Sequence, residues 1–270
     1  MTLKIRKKTT IYQIDAFTNK LFGGNPASVC PLEEWLPDET LKQIAIENNL
    51  AETAYFVQTT ENRYHLRWFT PEIEIDLCGH ATLASAYVII DELENKSNEI
   101  LFDTQSGLLA VTKRGDYFEL DFPSRPAQKA DLPQIISESL NIQPTEVWKA
   151  RDYLLVYDTE EEIKNIVPNT ALLDQINLSP GGIIATARGK ADEVDFVSRF
   201  FTPQAAVFED PVTGSAHCTL IPYWAERLDK TNLRALQISD RGGELLCQLN
   251  EDRVTIRGQA VKYLEGNIYL

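Results

Sequence analysis

The chain has no apolar run near the roughly 18–20 residues that a membrane-spanning helix needs, so no such helix is expected. Its four cysteines (Cys30, Cys78, Cys218 and Cys247) are scattered and form no Cys-x-x-Cys pair. Neither a zinc framework nor a disulfide framework is expected from them, and reduced cytoplasmic thiols are the default. Positive charge is scarce, with 26 Lys and Arg against 40 Asp and Glu and a formal net charge of −14. That balance argues against nucleic acid or an anionic membrane surface as a partner. A small anionic ligand stays possible, because it responds to local donors and not to the global sum. The N-terminal segment Met1–Thr10 is basic, but Tyr12, Gln13 and Asp15 interrupt any apolar signal core, and a cytoplasmic location is expected. A Gly-x-Ser-x-Gly nucleophile elbow is also missing, which weighs against a serine hydrolase.

What is present is an ordinary globular composition, 43% hydrophobic and 24% charged over 270 residues. That is enough for one large domain or two small ones. Laid against itself, the chain repeats. Arg67-Trp68-Phe69-Thr70-Pro71 and then Cys78-Gly79-His80-Ala81-Thr82-Leu83 match Arg199-Phe200-Phe201-Thr202-Pro203 and then Thr213-Gly214-Ser215-Ala216-His217. The arginines lie 132 residues apart and the glycines 135, so the second copy carries three extra residues between these landmarks. Ser106-Gly107-Leu108-Leu109 and Gly242-Gly243-Glu244-Leu245 form a third landmark at a similar offset. Three landmarks in order make chance similarity of strand-rich segments the poorer account.

Each copy runs from β-rich sequence through a turn into a helix of small residues, predicted at Ala81–Glu94 and Ser215–Leu228. Leu83, Ala84, Tyr87, Val88 and Leu93 make the first helix apolar nearly all round, which marks a buried helix. With strands on both sides, the pattern suggests a sheet wrapped around a central helix, once per copy. Surface helices are expected at Pro37–Asn48, Leu132–Leu140 and Thr170–Ile176. The polar stretch Pro123–Asp131 suggests a boundary, giving lobes at 1–122 and 123–259, with a C-terminal strand at 260–270 available to return to the first.

The start of a helix offers unpaired N–H groups and a positive dipole end, a ready site for carboxylate or phosphate. Gly79 and Gly214 stand at the two helix starts, and a small-molecule site is expected where the two copies face each other. The alternative is that both glycines only shape turns. Asp210, Ser215 and His217 are too close in sequence for a hydrolytic triad, and Ser215 reads better as a helix cap or ligand donor. His80 and His217 sit on or near the matching helix starts, where a helix N-terminus favours the neutral ring. A metal bound by Cys78, His80, His217 and Cys218 is not expected, since the spacings are not those of zinc sites.

Glu52 is the only charge between Glu47 and Glu61, among Leu50, Ala51, Ala54 and Phe56. Apolar neighbours favour the neutral carboxyl, which suits it to exchange protons near neutrality. A surface glutamate on a strand edge is the competing reading, and the residue pattern alone favours it. In the second copy, the stretch Leu178–Ile184 at about the same offset has no carboxylate.

Taken together, Asp15-Ala16-Phe17-Thr18, Gly23-Gly24-Asn25-Pro26-Ala27, Ala51-Glu52-Thr53-Ala54, Cys78-Gly79-His80, Arg151-Asp152-Tyr153-Leu154 and Glu209-Asp210-Pro211-Val212-Thr213-Gly214-Ser215 are distinctive. This combination resembles the phenazine-biosynthesis PhzF-like isomerase family, over nearly the whole chain. The resemblance implies an α+β fold like that of diaminopimelate epimerase and proline racemase. Such a fold has two pseudo-symmetric lobes, each a barrel-like, mostly antiparallel sheet around a central helix. It implies a cofactor-free isomerase in which Glu52 moves a proton on a small cyclic or α-substituted carboxylic acid, and a homodimer. His80 and Asp210 are then catalytic, and Asn25, Gly79, Gly214 and Ser215 hold the substrate. Two-thiol racemases carry a cysteine at each helix start; here Cys78 is matched by Thr213, so that mechanism is not expected. Ala81 stands where phenazine-pathway members carry proline, and Ala206 where a glycine is common. An amino-acid epimerase using Cys78, or a metabolite-binding protein without catalysis, are the competing functions.

Overall fold

A computed structural model describes residues 8–178, 181–205 and 207–270. Ala206 lies outside the described residues, as do the first seven residues and two positions of the second-copy stretch around residue 180. The first strands are β1 (Lys8–Ala16), β2 (Asn25–Leu32), β3 (Glu52–Thr60), β4 (Arg63–Phe69) and β5 (Glu74–Ile75). Next come β6 (Glu99–Thr104), β7 (Gly107–Arg114), β8 (Tyr117–Pro123), β9 (Gln128–Lys129), β10 (Glu146–Lys149) and β11 (Tyr153–Val156). The remainder are β12 (Ile183–Arg188), β13 (Phe196–Phe201), β14 (Asn232–Gln237), β15 (Gly243–Asn250), β16 (Arg253–Gly258) and β17 (Ala260–Tyr269). The α-helices are α1 (Asp38–Asn48), α2 (Gly79–Tyr87), α3 (Gln134–Ser139), α4 (Glu160–Lys164), α5 (Thr170–Leu173) and α6 (Gly214–Leu228). The chain is thus mixed α/β, with mostly antiparallel strands and few helices.

Contacts divide the chain into two compact units, Met1–Leu120 with Gly258–Leu270, and Asp121–Arg257. In the first unit the strand order is β17–β1–β2–β3–β4–β6–β7–β8. Only β2–β3 and β4–β6 pair in parallel. In the second unit the order is β9–β10–β11–β12–β13–β14–β15–β16, and only β11–β12 and β13–β14 are parallel. The two sequences of parallel and antiparallel pairings are identical, step for step.

Each unit packs one largely buried helix against its sheet. Helix α2 touches β1, β2, β3, β7 and β17, and His80 through Ala86 are all buried, as a helix apolar on every side requires. The helix expected as far as Glu94 runs to Tyr87 and continues as a π-helical turn, Val88–Glu92. Helix α6 touches β14 and β15; its Trp224 stacks on Phe196 of β13 and donates to the Thr186 hydroxyl of β12 at 3.0 Å. Pro222 lies inside α6 and has no N–H to give to the carbonyl four residues back, that of Cys218. The N–H of Arg125 takes that carbonyl at 2.9 Å. A proline that would break the ladder of an isolated helix is thereby accommodated.

Candidate active site

The first unit brings Asn25, Glu52, Cys78, Gly79 and His80 together. Glu52 opens β3 because α1 stops four residues earlier, at Asn48. Asn49 takes a left-handed conformation (φ 50°) and its N–H caps the carbonyl of Ala45. Leu41, Ile44 and Ala45 of α1 pack on Tyr55 and Phe69, and the Tyr55 hydroxyl donates to the Leu41 carbonyl at 2.7 Å. The start of β3 is therefore held from above. In the parallel pairing of β2 and β3, Glu52 lies opposite Ala27, and Asn25 is two residues back on the same face as Ala27. Gly24 makes the entry to β2 possible. Its φ is +63°, and a Cβ there would sit 2.1 Å from the Ala16 carbonyl oxygen.

His80 is the hub. Its Nδ1 lies 3.1 Å from Asn25 Nδ2 and 3.5 Å from Cys78 Sγ. Its Nε2 lies 3.1 Å from Glu52 Oε2. That distance is an ion-pair contact, yet neither atom has a well-aligned hydrogen bond, so the two face each other off axis. The His80 side chain is 5% exposed and that of Glu52 17%, so the Glu52 side chain is largely but not fully covered.

Burial opposes charging of the His80 ring, but Cys78 and Glu52 outweigh it and raise its pKa well above the usual histidine value. Burial and then the nearby Glu52 carboxylate push the Cys78 thiol up. A thiol held neutral cannot itself charge the ring, so the Glu52 carboxylate is the cause that remains. The expectation of a neutral ring at this helix start is thus overturned by a carboxylate 3.1 Å away, against which a helix end is the weaker field.

The second unit holds Asp210, Gly214, Ser215 and His217 in a different pattern. Asp210 Oδ2 accepts from the Thr213 hydroxyl at 2.5 Å, and Gln237 donates to the Asp210 carbonyl at 2.7 Å and accepts the Thr213 N–H at 2.8 Å. Thr213 is the N-cap of α6 and Gly214 its first residue, so Ser215 is not the cap. Gly79 likewise is the first residue of α2, after Cys78 at the N-cap. His217 is buried, and its Nδ1 donates to the Thr213 carbonyl at 2.8 Å; burial lowers its pKa to about 4. The carbonyl four residues back is taken in the same way by Thr82 in the first unit, whose hydroxyl donates to Cys78 O at 2.5 Å. His217 therefore corresponds to Thr82, and His80 to Ser215. The two histidines do not match.

Two further features were not read from sequence. The repeated Arg-aromatic-Phe-Thr motif is a clamp. Arg67 grips Glu74 through two bonds of 2.7 Å and lies 5.1 Å from the Phe69 ring centre. Arg199 grips Glu209 through two bonds of 2.7 Å and lies 5.0 Å from the Phe201 ring centre. Each clamp fastens the turn that delivers a central helix. Thr70 and Thr202 close those turns, donating to Ile73 O at 3.1 Å and Val207 O at 2.6 Å. The second feature is Asp152, buried beside Gly182, whose N–H it accepts at 2.8 Å; burial raises its pKa.

Among the described residues, Glu52, Cys78 and His80 are the group that could hold a metal, with donor atoms within 4.8 Å of one another. The types suit zinc, but His80 already faces Asn25 and Cys78 through one nitrogen and Glu52 through the other. His217 and Cys218, weighed beside Cys78 and His80 as ligands, belong to the other unit.

The sequence profile of the phenazine biosynthesis-like proteins matches residues 14–266. The chain belongs to this family. An uncharacterized isomerase of Pseudomonas aeruginosa is 49% identical over 97% of this chain and 99% of its own length. The crystal structure of a PhzF family member from Enterococcus faecalis has a TM-score of 0.93 and 46% identity, covering 98% of this chain and all of the other. More distantly, a hydroxyproline epimerase of Agrobacterium vitis shares the fold, with a TM-score of 0.61 at 11% identity over the whole of this chain and 94% of the other. The phenazine biosynthesis-like family thus sits on a fold also used by epimerases.

Proposed function

We propose that this family member is a cofactor-independent isomerase in which the carboxyl of Glu52 moves a proton on a small cyclic or α-substituted carboxylic acid. The observation that carries the reading is the contact between Glu52 and His80 at the start of a buried helix, 3.1 Å from oxygen to ring nitrogen. Glu52 as carboxylate removes a proton from carbon, and the resulting acid returns it to another carbon of the same molecule. His80 supports the charged form of Glu52 before the first step and again after the second. The unpaired N–H groups at the start of α2 are suited to the substrate carboxylate, holding it while the proton moves. The isomerase name of the Pseudomonas aeruginosa relative supports the reaction class. The identical order of strand pairings and the matched arginine clamps support an internal duplication as the origin of the scaffold.

The competing epimerase reading needs Cys78 as an acid or base. A thiol pushed up by burial and by Glu52, with Thr213 at the matching N-cap, favours it less.

Incubation with candidate cyclic carboxylic acids in D2O, followed by mass spectrometry, tests the proposal. Glu52→Gln is expected to lower deuterium incorporation roughly 10²–10⁴-fold, the usual contribution of a general acid–base group. Incorporation at the wild-type rate would sink the assignment.

A further inference from the structure

Asn25 has been read as a substrate contact, yet it is fully buried and its amide faces the hub histidine. We infer that Asn25 is a positioning residue that sets the tautomer of His80, so that Nε2 always carries a proton toward Glu52. The inference deepens the Glu52 reading and rests on it only for the task assigned to the ring.

The argument is one of donor counting. An amide NH2 can donate but cannot accept. Asn25 Nδ2 stands 3.1 Å from His80 Nδ1, so Nδ1 must be the bare, accepting nitrogen of the neutral ring. The ring proton is thereby forced onto Nε2, the nitrogen 3.1 Å from Glu52 Oε2. The Cys78 sulfur, 3.5 Å from the same Nδ1, adds a second donor when it is a thiol and points the same way. A second ring proton would place an N–H against the NH2 of Asn25, so this residue resists the imidazolium that Glu52 favours. The groups that charge near the ring are Glu52 on β3 and Cys78 at the N-cap of α2; Asn25 on β2 carries no charge. The ring is tuned from both sides: a carboxylate on one nitrogen and an obligatory donor on the other.

The same geometry explains why Glu52 and Nε2 are close without being aligned. Catalytic hydrogen bonds commonly tighten only once substrate is bound. A substrate proton arriving on Glu52 needs an oxygen not already committed to a linear bond. Asn25 reaches this place because Gly24 turns the chain immediately before it and β2 carries it alongside β3. Its contact with His80 spans 55 residues.

The test is 15N NMR of the whole chain labelled at histidine. Only three histidines are present, and His80→Gln identifies the signals of residue 80. In the wild type above the His80 titration midpoint, Nδ1 is expected to appear as the unprotonated nitrogen and Nε2 as the protonated one. The opposite pattern in the wild type would mean that the amide presents its oxygen to the ring, and would overturn the inference without any variant. In Asn25→Asp the side chain can accept, so both ring nitrogens should stay protonated to higher pH than in the wild type. The His80 titration midpoint should then move upward by a pH unit or so, and the pH profile of deuterium exchange should move with it. An unchanged midpoint in a folded Asn25→Asp protein also overturns the inference. The Glu52 reading fails separately: Glu52→Gln at the wild-type exchange rate would remove the task of the ring while leaving its tautomer as described.

Discussion

The two units share a frame and differ in what they put on it. Both pair their strands in one order of parallel and antiparallel steps. Both clamp the turn before the central helix with a bidentate arginine, and both satisfy the N-cap carbonyl with a side chain four residues on. On that frame the first unit carries Glu52, Cys78 and His80. The second carries Gly182, Thr213 and Ser215 at the corresponding places. Even the buried acid changes strand: where the first unit has Ala27 beside Glu52, the register of β11 and β12 puts Asp152 beside Gly182. Asp152 spends one oxygen on a backbone N–H, so its carboxyl fastens the neighbouring strand. Gly182 is closed to any side chain, since a Cβ would lie 2.5 Å from the Phe200 ring and 2.7 Å from the Phe201 carbonyl oxygen. What the two units keep in common serves the fold, and what they do not share is where chemistry is to be sought.

The largest expected effect on that comparison comes from the clamps. Arg67→Met and Arg199→Met each strand a glutamate that is mostly covered, Glu74 at 21% and Glu209 at 23% exposed. Removing one partner of a largely buried pair leaves the other uncompensated, at a cost of roughly 2–4 kcal/mol here. Urea unfolding should report two losses within about 1 kcal/mol of each other if the clamps are equivalent, a margin set by the spread of such measurements. A loss in one variant and none in the other would break the equivalence.

A smaller effect separates the histidines. His217 has a folded pKa of about 4, below its unfolded value of roughly 6.5, so the unfolded chain binds the proton more readily. Stability is therefore lost as pH falls from about 6.5 toward about 4, by on the order of 1 kcal/mol per pH unit, and is level below that. His80 has the opposite sign. Its raised folded pKa contributes stability below the unfolded value, and that contribution is lost as pH rises through the folded one. His217→Thr, which installs the residue found at the matching position of the first unit, should flatten the acid limb of the stability–pH curve even if it lowers stability overall. An unchanged limb would show that another group carries it.

The family and the mixed fold were legible because they rest on local signals: glycines at helix starts, apolar runs and the repeated Arg-aromatic-Phe-Thr motif. Pairings over long sequence separations were not. His80 and His217 both lie near matching helix-start glycines, but at different distances from them. Counted from those glycines, His80 is the second residue of its helix and His217 the fourth, and the shared carbonyl bonds of Thr82 and His217 fix that offset. The Arg motif was visible as a landmark, but its partners Glu74 and Glu209 lie across a turn whose length differs by three residues between the copies. Asn25 read as a ligand contact because a buried asparagine beside a glycine turn carries no mark of which side chain it faces. The second unit seemed to lack a buried acid because Asp152 comes from a neighbouring strand, thirty residues before the position where sequence offset looked for it.

The smallest expected effect is at Cys78, and it decides whether the asymmetry of the two helix starts is chemical or only one of packing. Cys78 is buried, its thiol is pushed up, and its contact with His80 is the longer of the two on Nδ1. Cys78→Ala should therefore keep deuterium exchange within about threefold of wild type, far from the 10²–10⁴-fold loss of a removed acid–base group. The His80 tautomer should also persist, because Asn25 still donates to Nδ1. A loss as deep as that of Glu52→Gln would place a second proton carrier at the start of α2. It would bring back the epimerase reading, with Thr213 marking the unit that had given up its thiol.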